Sequence, residues 1–293
     1  MAALRRDTRG IVDPDELLTR VRFRRHEPAE PLRRYVENYW FIDWDLTEPY
    51  ASHVVPHPSV NLTFELYDDG DSGGGGGHGG GGDGGGGDEG PTGTPVGVVT
   101  GVALGPFTRK LTGRGRVCGV KFRSGGFRPY APDTPVLQWT GRELPVGDVF
   151  TGAPADAALA VTGPGDEHAR VAALDAFLLA RGAADDPQAD LAMDLVDRIR
   201  TDTTVHRVGG FAAAQGLSVR SLQRLFSAYV GVGPKWIILR HRIHQALERA
   251  GSDAAVSWAA LAADLGYADQ AHLVRDFTAT VGVPPTAYAP RNR

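Results

Sequence analysis

Between residues 211 and 226, FAAAQGLSVRSLQRLF, apolar positions recur at helical spacing on both sides of Gly216. Phe211, Ala212 and Leu217 face inward from a first helix and its turn. Ser218 can accept a backbone hydrogen bond and cap a second helix, on which Leu222, Leu225 and Phe226 form the apolar stripe. Val219, Arg220, Gln223 and Arg224 are thereby left towards solvent. The pattern predicts a helix, a tight turn and a second helix, an arrangement that many unrelated proteins also use.

The same organisation returns over 261–277, LAADLGYADQAHLVRDF. Phe211, Ala212 and Gly216 correspond to Leu261, Ala262 and Gly266. After a one-residue insertion in the turn, Leu222, Arg224, Phe226, Gly231 and Pro234 correspond to Leu273, Arg275, Phe277, Gly282 and Pro285. The exits, YVGVGPKW and TVGVPPTAY, each place Gly where a helix can end through a left-handed residue and Pro where the next can start. Trp236, Ile237, Ile243, Ala246 and Leu247 predict a joining helix over 235–250. At about 1.5 Å per residue it spans roughly 24 Å. Leu222, Phe226, Trp258, Leu261, Leu265, Tyr267, Leu273 and Phe277 are the predicted core of the pair.

Ahead of these units the period shortens. The first 25 residues are charged and mixed, and read as partly loose. LRRYVENYWFIDWDL suggests a short helix entering a strand, anchored by Leu32, Tyr35, Val36, Tyr39 and Trp40. SVNLTFEL alternates Leu62, Phe64 and Leu66 with Asn61, Thr63 and Glu65, a strand with one buried and one polar face. Strand character resumes in TPVGVVTGVAL and in VCGVKFR, where Val117, Gly119, Lys121 and Arg123 share one face and Cys118, Val120 and Phe122 the other. Between them, residues 71–90 are dominated by glycine, whose backbone loses too much entropy on ordering for a core element, so a flexible loop is expected. No lysine and helix follow it at the spacing of a phosphate-binding loop. Residues 154–165 are small with a Gly-Pro break; helices are expected over 168–181 and 188–200, and the next helix from 202–204.

Composition changes this picture at one point. The formal charge of −4 conceals a split. From Thr204 onward there are 10 Lys or Arg against 5 Asp or Glu, which leaves 21 of the 31 bases and 30 of the 35 acids to the first 203 residues. A local positive surface matters more to phosphate binding than the whole-chain charge. The single cysteine, Cys118, excludes an intrachain disulfide scaffold and reads as a small buried hydrophobe, and no Cys/His cluster suggests zinc. The start of the chain lacks a signal-peptide core and no apolar run reaches membrane-spanning length, so a cytoplasmic protein without membrane association is expected.

GLSVRSLQRLF, the stretch from Pro234 to Ala246 with Arg242 and Ile243, and above all GYADQAHLVRDF followed by GVPPTAY make residues 204–289 resemble the double helix-turn-helix domain of the AraC/XylS family of bacterial transcription regulators. Ala271, Leu273 and Ala289 depart from that family's commoner Ser, Phe and Arg. RRYVENYW, HPSVNLTFEL, VCGVKFRSGGFRPY and LPVGDVF in turn resemble a compact, largely β domain that precedes the DNA-binding part of some AraC-like regulators. The resemblance implies an α+β chain with a largely β sensor-like domain over 1–152, a helical connector over 153–203 and an all-α double helix-turn-helix domain over 204–293. It implies sequence-specific double-stranded DNA as partner, with RNA polymerase, an unknown small-molecule effector and a second copy of the chain in a homodimer as further candidates, and neither a cofactor nor catalysis.

The residues themselves suit that function. In the first unit Arg220 and Gln223 are placed for base edges and Arg224 for support or phosphate, with Val219 beside them. In the second, Gln270, Ala271 and Val274 take the exposed early positions, His272 lies on the flank, and Arg275 is expected nearer the packed face or backbone. Candidate effector residues are Trp40, Trp44, His57, Asn61, Glu65, Arg123 and Tyr130, the last two for an anionic ligand. For Trp40 and Trp44 core packing explains the same residues, as a solvated polar row does for Asn61 and Glu65 and a simple surface or interface role for Arg123 and Tyr130. A ligand-binding protein whose helical end contacts protein partners is the other reading of the chain. Nothing in the β part forms a nucleophile–base pair, which leaves an enzyme without a motif.

Overall fold

The computed structural model describes residues 11, 14–68, 92–252 and 256–288. The glycine-rich stretch 71–90 lies outside them. The expected loose start is corrected in part: α1 (Pro14–Arg20) and β1 (Arg22–His26) are formed. Leu17 and Val21 are the reason, because both are buried against Trp44, Leu111 and Val117. A turn of 3-10 helix, Glu30–Leu32, leads into β2 (Val36–Val54), longer than the sequence suggested. Then come β3 (Asn61–Tyr67), β4 (Val96–Thr100), β5 (Phe107–Phe122) and β6 (Glu143–Pro145). They form one antiparallel sheet in the order β1-β2-β5-β3-β4-β6.

Register decides what each face carries. Phe41 and Phe64 both lie opposite Cys118, and Tyr39 and Leu62 opposite Val120, so these six side chains share a face. That face is covered by α2 (Val146–Val149), α3 (Ala157–Thr162) and α4 (Glu167–Arg181). Phe177 meets Phe64 edge-on at 5.3 Å, and the Tyr39 hydroxyl donates to Asp175 at 2.7 Å. The small-residue segment before α4 thus holds a helix that its Gly-Pro break concealed.

The opposite face brings Trp40, Gly119 and Thr63 into one row and Trp44, Gly115 and Tyr67 into another. Glycine is required there, since a Cβ on Gly119 would lie 2.1 Å from the Trp40 ring and one on Gly115 2.2 Å from Trp44. This is the face expected to be polar, but Thr63 and Glu65 are buried. The β2–β5 ribbon breaks register between Leu46 and Tyr50, and Arg109 from its far half pairs with Glu65.

α5 (Pro187–Thr201) follows, capped by Asp186. Asp202 closes that helix and holds the Thr204 N–H at 2.9 Å, and the next helix begins only at Val208, later than the sequence suggested. The remaining elements are α6 (Val208–Ala214), α7 (Val219–Tyr229), α8 (Pro234–Ser252), α9 (Trp258–Asp264), α10 (Gln270–Val281) and α11 (Pro285–Tyr288). Two hydrophobic cores divide them. The larger joins the sheet, α4, α5, α6, α7 and the start of α8 through Ile237 and Ile238. The smaller joins Ile243, Ala246 and Leu247 of α8 to α9, α10 and α11, together with Val55 from the end of β2.

Candidate nucleic-acid interface

Each helix pair is fixed by the same local devices. Gly216 and Gly266 turn the chain at φ +68° and +71°, a left-handed region that glycine enters without strain. Ser218 Oγ accepts the Ser221 N–H at 3.0 Å, and Asp269 Oδ1 accepts the His272 N–H at 2.7 Å, so α7 and α10 both start on a side-chain cap. Leu222, Leu225, Phe226 and Tyr229 point α7 inward; Leu273, Phe277, Thr280 and Val281 do so for α10. Their first turns therefore point outward.

Val219, Arg220, Gln223 and Arg224 are all exposed on α7. On α10, Gln270, Ala271, His272 and Arg275 are exposed and Val274 is half-buried. The placing of Arg275 nearer the packed face is corrected: Leu273 and Phe277 take the inward positions and leave it outward. The His272 imidazole lies 3.6 Å from Asp276 and edge-on to Tyr267 at 5.2 Å, so it is held beside the outward turn. Arg242 of α8 donates to the His206 carbonyl at 3.0 Å and lies over the Tyr267 ring at 5.4 Å, tying the entry of the first unit to the second.

The candidate effector residues fall into three places. Trp40, Trp44, Asn61 and Glu65 share the inner sheet face. There Glu65 accepts from Thr63 at 2.8 Å, from the Tyr67 hydroxyl at 2.5 Å and from Arg109. Burial, with the Glu65 carboxylate beside it, keeps the Tyr67 phenol protonated. Trp44 is buried and donates from Nε1 to the Thr112 carbonyl at 3.1 Å. His57 stacks on His244 of α8, rings 4.3 Å apart, and Arg123 is exposed just past β5. Pairing Arg123 with Tyr130 as one anion site is corrected. Tyr130 is packed edge-on between Tyr35 and Phe122 in the main core, and burial pushes its phenol up to about 12. Arg109 and Tyr67 were missed by the sequence. Only the alternation of charged and apolar residues along β5 hinted at Arg109, and nothing local gave its partner.

The sheet unit also grips the helical part. Arg240, 3% exposed, donates to the Pro56 and Leu104 carbonyls at 3.2 and 3.0 Å and lies over the Trp236 ring at 4.3 Å. The Thr140 hydroxyl donates to the Gly231 carbonyl at 2.7 Å.

A β-sheet unit is thus joined to two helix-turn-helix pairs whose second helices, α7 and α10, turn their first turns outward. Residues 211–291 match the family described as a helix-turn-helix domain, and residues 24–145 match a domain of unknown function, DUF6597. Residues 211–291 thus form a helix-turn-helix domain, and the chain carries a DNA-binding module. Among solved structures the chain is similar to ToxT from Vibrio cholerae, at 9% identity over 92% of this chain and 98% of that one, with a TM-score of 0.42. It is similar also to unsaturated fatty acid-bound ToxT from Vibrio cholerae, at 11% identity over 85% and 93%, with a TM-score of 0.40. Among curated proteins none matches the chain. No helix among the described residues is long and apolar enough to cross a membrane.

Proposed function

We propose that α7 and α10 enter successive major-groove segments of one duplex, with residues 204–293 reading DNA, 153–203 connecting and 1–152 adjusting the reading. The observation that carries this is the outward, capped first turn of both helices. Arg220 and Gln223 meet base edges and Arg224 a phosphate; on α10, Gln270, Ala271 and Val274 meet bases, with His272 and Arg275 towards the backbone. The first helix carries the richer donor set and dominates specificity. On the inner sheet face, Trp40, Trp44, Asn61 and Glu65 are the surface for a small-molecule effector. RNA polymerase and a second copy of the chain are further partners, and the working compartment is the cytoplasm.

Mobility shifts on chromosomal fragments test the reading. Replacing Arg220 and Gln223 together by Ala removes discrimination between sequences, about 1–3 kcal/mol for a good bidentate pair, while weaker general binding persists. An unchanged sequence preference in the folded variant sinks the base-reading assignment. Raising salt weakens the association, because bound phosphates release counterions. Salt-insensitive, weak DNA association beside tight protein association would support the protein-partner reading instead. A larger loss of preference for Gln270→Ala than for Gln223→Ala reverses the order of the two helices.

A further inference from the structure

Where the end of the sheet meets α5 and α8 there is a cavity of about 240 Å³. Its wall includes His57 and Arg123 but none of Trp40, Trp44, Asn61 and Glu65; it meets their sheet face only through Lys121 at its end. Three cations line it, Lys121, Arg123 and Arg200. Lys121 is paired with Glu37 at 2.9 Å and Arg200 with Asp197 at 3.1 Å, both acids also on the wall. The Arg200–Asp197 pair is half-exposed on both sides, a kind of pair that contributes little and exchanges readily. Arg123 has no hydrogen bond or ion pair to its guanidinium among the described residues, which leaves one positive charge uncompensated.

Two further observations point to a ligand. His241, 8% exposed, forms part of the wall, and its Nε2 is buried without a hydrogen-bond partner. Polar atoms of this kind are almost always satisfied, and an unsatisfied one beside a cavity calls for a group that the cavity would hold. The hydroxyls of Ser59 and Ser124 also lie on the wall, 3.4 Å from each other. The donors come from four separate segments: the chain before β3, the chain after β5, α5 and α8. Such convergence suits a tetrahedral oxyanion, whose oxygens point in different directions, better than a planar carboxylate. An alkyl chain would find only Pro58, Met193 and Val196.

We propose that this cavity binds a small hydrophilic phosphate-bearing anion, held by Arg123 and Arg200 with the serine hydroxyls and His241 as hydrogen-bonding partners. A ligand there touches the sheet unit, α5 and α8 at once, so it favours the arrangement in which they are docked. The binding itself requires no DNA and stands apart from the reading of the recognition helices.

Calorimetry on the full chain at constant ionic strength tests this, with inorganic phosphate, pyrophosphate and ribose 5-phosphate as probes and citrate and palmitate as contrasts. Saturable binding of at least one phosphate probe is expected at one site per chain, weakened about tenfold or more in Arg123→Ala and in Arg200→Ala. Arg198→Ala, on the same helix but off the wall, leaves it unchanged. Thermal midpoints without ligand show that the variants are folded, and Ser124→Ala gives a milder second probe should either arginine variant fail to fold. Absence of saturable binding up to about 10 mM overturns the proposal, as does binding that ignores the arginine and serine variants or is confined to citrate or palmitate.

Discussion

Asp43 on β2 is the residue on which the join between sheet and α4 turns. Arg116 donates to it at 2.6 Å, Arg170 at 3.1 Å, and Arg24 donates as well. Burial works against ionisation of Asp43, but the donors Arg116 and Arg24 outweigh it and hold its carboxyl below the usual range. Arg170 is 3% exposed and its second amino group is spent on the Gly165 carbonyl at 3.1 Å, so it has nowhere else to turn. Asp43→Asn leaves Arg116 and Arg170 without their carboxylate, while Arg24 keeps Glu167. A loss of about 3 kcal/mol in urea denaturation is expected, at the low end for a broken buried pair because Asp43 retains some solvent. Because its folded pKa lies below its unfolded one, the contribution is complete above about pH 4 and is lost as pH falls through the folded value. The variant accordingly shows a flatter acid limb than the wild type.

At the scale of elements, the two helix pairs are alike in themselves and different in their surroundings. Gly231 and Gly282 follow α7 and α10 with positive φ, +89° and +86°. A Cβ on Gly282 would come no nearer than 3.7 Å to Pro106, whereas one on Gly231 would lie 2.8 Å from Thr140 Oγ1 and 2.9 Å from Val136 Cγ1. Gly282→Ala therefore costs about 1 kcal/mol of backbone strain, and Gly231→Ala at least twice that, compared by thermal midpoints. The repeat itself was legible, because caps, stripes and glycine exits are local signals that operate within about ten residues. The covering of the inner sheet face was not. Thr63 and Glu65 alternate with Leu62, Phe64 and Leu66 like a wet face, and only the bend of the ribbon that brings Arg109 across dries it. Tyr130 was misread as a ligand residue for the same reason: its neighbours, Tyr35 and Phe122, come from other elements.

For the whole molecule the seam at α8 is the sensitive part. Burial lowers the His241 imidazole to about 4 and His244 to about 3. Arg200, Arg240 and Lys121 reinforce the shift of His241, and Asp197 opposes it. A folded pKa below the unfolded value of about 6.5 means that the unfolded chain takes up protons first. Stability supplied by these neutral rings is complete above about pH 6.5 and falls as pH drops, by about 1 kcal/mol per pH unit for each histidine. Thermal midpoints measured at pH 7 and pH 5 should therefore separate in the wild type. They should converge in a His241→Gln, His244→Gln double variant. Both histidines sit on α8, but their burial depends on residues 55–58 and on α5, which no local pattern places against that helix.

The division of the hydrophobic cores along α8 bears on how the chain is made. During synthesis the sheet, α4 and α5 emerge first, and folding proceeds from that end. When α6 and α7 follow, their apolar stripe is received by a surface already in place, since it belongs to the same core as the sheet. The second half of α8 and α9 to α11 arrive last and assemble chiefly among themselves, with Val55 as their single residue from the earlier part of that core. A chain that ended after α8 would thus carry α7 seated on the sheet's core and no α10 at all.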